Sequence, residues 1–169
     1  YSPFWVIGPT LEHFRYLLFD TSYPGWLWNT ILISVGSTFL SLLAAVFAAY
    51  AIERLRFSGS RQVGLAIFLA YLVPPSILFI PLSVMVFRLG LYDTTAALII
   101  FHIAFQTGFA TLFMRNFIAA LPDELFQAAR AEGATPLQTL VHVAVPLVRP
   151  ALAALAILLF TFIWNDYFW

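Results

Sequence analysis

Apolar and charged positions are segregated along this chain into long blocks. No charged side chain occurs from Thr21 to Ile52, from Gln62 to Phe87, from Thr94 to Met114, or from Pro150 to Asn165. A helix needs about 20 apolar residues to cross the hydrocarbon of a bilayer. The first three blocks meet that length. The fourth holds 16 residues, but Arg149 can snorkel at one end and Tyr167–Trp169 can extend the other. The pattern therefore predicts four spanning helices, 27–52, 63–87, 95–119 and 149–168, in an all-α polytopic transmembrane bundle. Residues 1–25 differ: Glu12, Arg15 and Asp20 alternate with aromatics, and Pro3, Pro9 and Pro24 interrupt any long helix. They predict an external segment with a short amphipathic helix near Leu11–Phe19, its aromatics resting on the lipid interface.

Composition supports lipid as the solvent. The 169 residues are 62% hydrophobic and only 9% charged, against about 25% charged in a soluble domain. There are eight Arg, eight acids and no Lys, for a net charge of zero. No basic patch points to nucleic acid. Without Cys there is no disulfide framework, thiol chemistry or cysteine metal site. His13, His102 and His142 stand singly, which argues against a multi-histidine metal centre. No nucleophile, base and orienting group recur at a workable spacing, so no catalytic residue is assigned and no cofactor is called for. The first residue is Tyr1, and Trp169 ends an aromatic run. The expectation is the middle of a longer protein.

Arginine sets the orientation. The connections 53–61 and 115–149 hold Arg54, Arg56, Arg61, Arg115, Arg130 and Arg149, against Arg15 and Arg88 on the other side. An excess of Arg marks cytoplasmic loops. Residues 1–25, the turn 88–93 and the C-terminal end are then external.

Three spans carry local signals. Ser37/Ser41, Ala44/Ala48 and Ala45/Ala49 on the first are small residues four apart, which let another helix approach closely. Pro74, Pro75 and Pro81 on the second free backbone carbonyls that need partners, so this helix either lies among protein or lines a wet cavity. His102 and Gln106 share a face of the third, suited to interhelical hydrogen bonds or to a solute path. Pro81, Gln106, Trp164, Asn165 and Asp166 are the candidate path residues. Trp and Asn at a helix end equally suit an interface anchor.

The longest polar stretch, Leu121–Pro150, lies between two spans. Pro122 suits a helix start, and Asp123 and Glu124 fall where a first turn favours negative charge. Gly133 supplies a left-handed cap. Thr135, Pro136 and Gln138 then spell a second start with a capping box, and Pro146 is expected to end that helix. Two short helices therefore meet at Gly133–Ala134. Ala128, Ala129, Ala131 and Ala134 leave the bend nearly bare, as close approach of another protein requires, and Leu125 and Phe126 can seat the insert.

These residues resemble the EAA loop of the permease subunits of bacterial ABC importers. That motif runs Glu-Ala-Ala, three residues, Gly, nine residues, Ile-x-Leu-Pro. Here Gln127-Ala128-Ala129 is followed after three residues by Gly133, and nine residues later by Val143-Ala144-Val145-Pro146. Both spacings hold. Val143 and Val145 are conservative departures, whereas Gln127 replaces a carboxylate by a neutral amide. Asn29-Thr30, the Arg54–Arg61 loop, Pro81 with Leu89–Thr94, and Trp164-Asn165-Asp166 are similar to the maltose-type carbohydrate permeases, most of all to the second of their two permease subunits. The resemblance implies a type I importer fold of six spans, with the second to fifth present. It implies a coupling loop over 120–148, with Gln127, Ala128, Ala129, Glu132, Gly133, Ala134 and Pro146 meeting a cytoplasmic ATPase. The implied partners are a second homologous permease forming a heterodimer, two ATP-binding cassette subunits, an external substrate-binding protein and membrane lipid. The implied place is the plasma or inner membrane of a bacterium or archaeon. The permease itself would bind no nucleotide, and no GxxxxGK[ST] loop occurs. The alternatives are an importer permease for another small solute (a polyamine, amino acid or glycerol phosphate), an ion-coupled secondary transporter, or a non-transporting scaffold. An ion-coupled mechanism usually needs ionisable residues within the spans, and the charge-free blocks offer only His102.

Overall fold

The computed structural model describes residues 10–166, so the expectations on residues 1–9 and 167–169 fall outside it. The described elements are α1 (Glu12–Phe19), α2 (Tyr23–Tyr50), α3 (Ser60–Tyr71), α4 (Pro75–Arg88), α5 (Thr95–Ala119), α6 (Asp123–Ala131), α7 (Pro136–Thr139), α8 (Val145–Leu147) and α9 (Arg149–Trp164). Two π-helical turns, Ala51–Leu55 and Leu140–Ala144, extend α2 and join α7 to α8.

Two helices are individually long and apolar enough to cross a membrane: α2 with its extension to Leu55, and α5. The rest of the apolar chain lies in bent pairs. The axes of α3 and α4 differ by 99°, and the run Pro136–Leu147 meets α9 at 79°. Counting each pair as one span gives four. The span expected over 63–87, with its prolines, is bent into two helices around Val73–Pro74. Pro74 is extended, with ψ 135. A residue before proline is pushed out of the helical region, and Pro74 precedes Pro75. Pro81 sits inside α4 without ending it.

The core lies between α2, α5 and α9. Ala45, Ala49, Ala110, Met114, Leu155 and Leu159 are completely buried there. Ser37, Ser41, Ala45 and Ala49, each four residues from the last, form the packed ridge of α2. The hydroxyls of Ser34, Ser37, Ser41 and Thr111 find no partner, so these residues act here by being small, which lets the helices close up. Ala44 and Ala48 are turned partly outward. Large apolar side chains such as Phe39, Phe47, Ile157 and Phe162 point away from the core on the same helices. That inverted surface is what hydrocarbon solvates, and the fold is a transmembrane helical bundle. The α1 helix buries nothing against the rest.

Candidate functional site

The polar insert begins with α6. Pro122 occupies the N-cap position, with Asp123 and Glu124 in the first turn, where the helix dipole favours acids. The helix ends in a Schellman arrangement. The Ala134 amide donates to the Ala129 carbonyl and the Gly133 amide to the Arg130 carbonyl, both at 3.0 Å. Gly133 takes the left-handed conformation this requires, at φ 81. The next helix starts at once. The Gln138 amide donates to Thr135 Oγ1 (3.3 Å), and the Thr135 amide donates to Gln138 Oε1 (2.8 Å), a complete capping box.

Pro146 does not end this helix, contrary to the sequence expectation. The helical turn continues to Leu147, and the break falls at Val148. The wide turn Leu140–Ala144 precedes Pro146. A π turn widens the helix where a proline ring would otherwise strike the carbonyl one turn back.

The motif residues divide by exposure. Gln127, Ala128, Glu132 and Gly133 are exposed, and Ala134 and Pro146 are half-buried. Ala129 is only 8% exposed and faces the bundle. Phe126, 4% exposed, is the anchor of α6, while Leu125 points outward. The two alanines are therefore not equivalent: Ala128 lies on the open face and Ala129 on the seated one.

One arginine fastens the insert to the spans. Arg54, in the π-helical extension of α2, has a side chain only 7% exposed. Its Nη2 donates to the carbonyls of Ile118 and Leu121, both at 2.6 Å, and more weakly to that of Ala119 at 3.4 Å. These lie at and just past the C-terminus of α5, where carbonyls lack helical donors and a cation is favourable. Nη1 pairs with the Asp123 carboxylate at the start of α6. The guanidinium carbon lies 4.1 Å from the centre of the Phe126 ring. Beside it, Arg115 Nε donates to Glu53 Oε1 at 2.6 Å, tying α5 to the same turn. Gly64 makes room for Arg115, since a Cβ there would fall 2.6 Å from Arg115 Nη1. Tyr50 and Phe126 bring their ring centres to 6.4 Å. A polar cavity of about 360 Å³ remains between the turn and the insert, lined by Tyr50, Arg54, Asp123, Gln127 and Thr139 among others. In the sequence, Arg54 and Arg115 enter as charges that set the orientation, and Arg54 also as the edge of the Arg54–Arg61 loop. Their partners lie 62 to 69 residues away, so no local spacing could reveal them.

The candidate path residues fall in two places. Pro81 and Gln106 line one cavity of about 720 Å³ between the bent pair α3–α4 and α5, with Tyr71, Pro74, Thr107 and Thr111. Trp164, Asn165 and Asp166 lie outside it, at the end of α9. Trp164 stacks on Phe160 at 5.5 Å, and Asn165 Nδ2 donates to the Thr161 carbonyl at 2.8 Å. Asp166 Oδ2 approaches His102 Nδ1 at 3.9 Å, so His102 belongs with this group rather than with Gln106. Among the described residues, no group of three or more His, Asp or Glu is placed to hold a metal ion.

The site is thus a capped helical insert fastened to the end of a transmembrane bundle. Residues 37–169 match the family described as binding-protein-dependent transport system inner membrane component, and the chain belongs to that family. The trehalose transport system permease protein SugB of Mycobacterium tuberculosis is 35% identical over 157 residues, which cover 93% of this chain and 57% of that protein. The inner membrane ABC transporter permease protein YcjP of Escherichia coli is 30% identical over 160 residues, 94% of this chain and 57% of that one. Among solved structures, a chain of a bacterial ABC transporter involved in import of the acidic polysaccharide alginate superposes with a TM-score of 0.79. It is 32% identical over 90% of this chain and 53% of that one. The chain thus spans just over half the length of these relatives.

Proposed function

We propose that the chain is part of a permease subunit of an ATP-driven ABC importer for carbohydrate. The carrying observation is the insert: a bare, capped helix α6 that presents Gln127 and Ala128 outward while Phe126 and Arg54 fasten it to the spans. Relatives named for trehalose, and for alginate import, support the substrate class.

The connections 53–61 and 115–149 face the cytoplasm in this reading. There Gln127, Ala128, Glu132, Gly133 and Ala134 dock into a cleft on an ATPase subunit, with Ala129 and Pro146 holding the shape behind them. Two ATPases close on ATP, the docked helices follow, and the spans of this subunit and a homologous partner rock open toward an external binding protein. The ATPase must grip the insert differently in its two states, since only differential affinity shifts an equilibrium. Pro81 and Gln106 line the path in its middle. Trp164, Asn165 and Asp166 offer an aromatic face and polar groups at its outer end, which suits a sugar.

The test is ATP-driven uptake of labelled disaccharides by the full transporter in proteoliposomes. Ala128→Trp places bulk on the open face without disturbing the core. It should abolish ATPase co-purification and uptake together. Retention of both would overturn the docking assignment, and uptake driven by an ion gradient without ATP would overturn the importer class.

A further inference from the structure

We infer that Arg54 is the positioning residue that makes α6 move as one body with α2 and α5. The inference rests on the docking role proposed for α6 and goes beyond it. Docking explains how force reaches the insert. It does not explain how force leaves it.

Only a few routes join α6 to the bundle. Its N-terminal side is a short turn from α5, through Ala120, Leu121 and Pro122. A free turn of three residues would let α6 pivot when pulled, and the spans would stay still. Phe126 and Ala129 seat the middle of α6, and Arg54 removes that freedom at the turn itself. It grips the carbonyls of Ile118 and Leu121, on both sides of the turn's start, and pairs with Asp123 beyond its end. Its flat face covers Phe126 one turn further on. The turn is thus bracketed from a third element, the extension of α2. The planar fork of a guanidinium suits this task, because it presents several donors in a fixed geometry. A lysine ammonium offers one point of charge and cannot bracket the turn. The neighbouring Glu53–Arg115 pair repeats the tie between α2 and α5 alone, without reaching α6. Burial of the Arg54 side chain shields its bonds to the Ile118 and Leu121 carbonyls from water, which keeps them strong.

The test uses the complete transporter, with Arg54→Gln, Arg54→Lys and Asp123→Asn in separate preparations. Spin labels on Phe47→Cys and Glu124→Cys, both at exposed positions, report the distance between α2 and α6. Arg54→Gln should broaden that distance distribution and lower the solute moved per ATP about fivefold or more, the scale of a lost coupling between sites. Arg54→Lys should stay impaired, and Asp123→Asn should lose less because the carbonyl bonds remain. The inference is overturned if Arg54→Gln leaves either the distribution or the solute moved per ATP unchanged. It is also overturned if both Arg54 variants simply fail to assemble with the ATPase, which would mark a folding role. Ala128→Trp, run alongside, reports docking independently. If it leaves the ATPase bound, the docking reading fails, whatever Arg54 does to the distance.

Discussion

The insert end of the bundle and the α3–α4 pair are built on opposite plans. Around α6, four side chains from three stretches of chain meet in charge-assisted bonds, and Phe126, Ala129, Met114 and Ile118 are packed beneath them. In α4 none of the described residues is buried, and in α3 only Gly64 is. Ile77, Ile80, Met85 and Phe87 lie open, and an apolar-walled cavity lies between the bend and α5. Prolines break this region, whereas caps and an arginine brace the other. The contrast teaches where rigidity is placed. On the function proposed above, the braced insert would transmit force and the open α3–α4 pair would be the part that is cheap to move.

Core truncations should give the largest contrast. Met114→Ala removes a completely buried side chain beneath the insert and should destabilise by about 2–5 kcal/mol. Ile80→Ala, at a position 72% exposed on α4, should stay within about 0.5 kcal/mol. Thermal midpoints in detergent check both, and a reversed order would break the comparison. Gly133→Ala comes next. It forces a Cβ into a left-handed turn, at a cost of roughly 1–2 kcal/mol, and should speed hydrogen exchange in α6 while leaving α4 unchanged. Thr135→Ala removes half of the capping box and should cost about 1 kcal/mol, read as faster exchange over Gln138 and Thr139. Asp123→Asn should be the smallest of the effects around the insert. Its side chain is 60% exposed, and exposed ion pairs contribute about 0–1 kcal/mol. An effect on stability as large as that of Met114→Ala would mean the carboxylate, rather than the carbonyl bonds, holds the joint.

What the sequence makes legible follows from the range of each interaction. The start of α6, the left-handed Gly133 and the Thr135–Gln138 box are all decided within five residues, and the structure places each of them where local chemistry expects. The ridge of Ser37, Ser41, Ala45 and Ala49 was readable as small residues at helical spacing. Which of the two alanine series would face inward was not, because that depends on where α5 lies. Prolines announced a disturbance over Pro74–Pro81 but not its 99° size. Pro146 misled, since a π turn absorbs it and no local rule signals such a turn. The Arg54 joint was invisible for another reason: each of its partners is more than 60 residues away. The exposure of Ala128 and the burial of Ala129 likewise needed the bundle before the helix face could be chosen.

The chain contains no cysteine, so a single thiol can be placed at will in this region of the full-length subunit. Photo-cross-linking from Ala128→Cys, against Ile80→Cys as the comparison, tests most directly that the insert is the motor's handle. The account predicts a strong adduct between the Ala128 position and the ATPase, with a yield that changes when ATP is trapped, and none from Ile80. An ATPase adduct of equal strength from both positions, or none from Ala128, would contradict it.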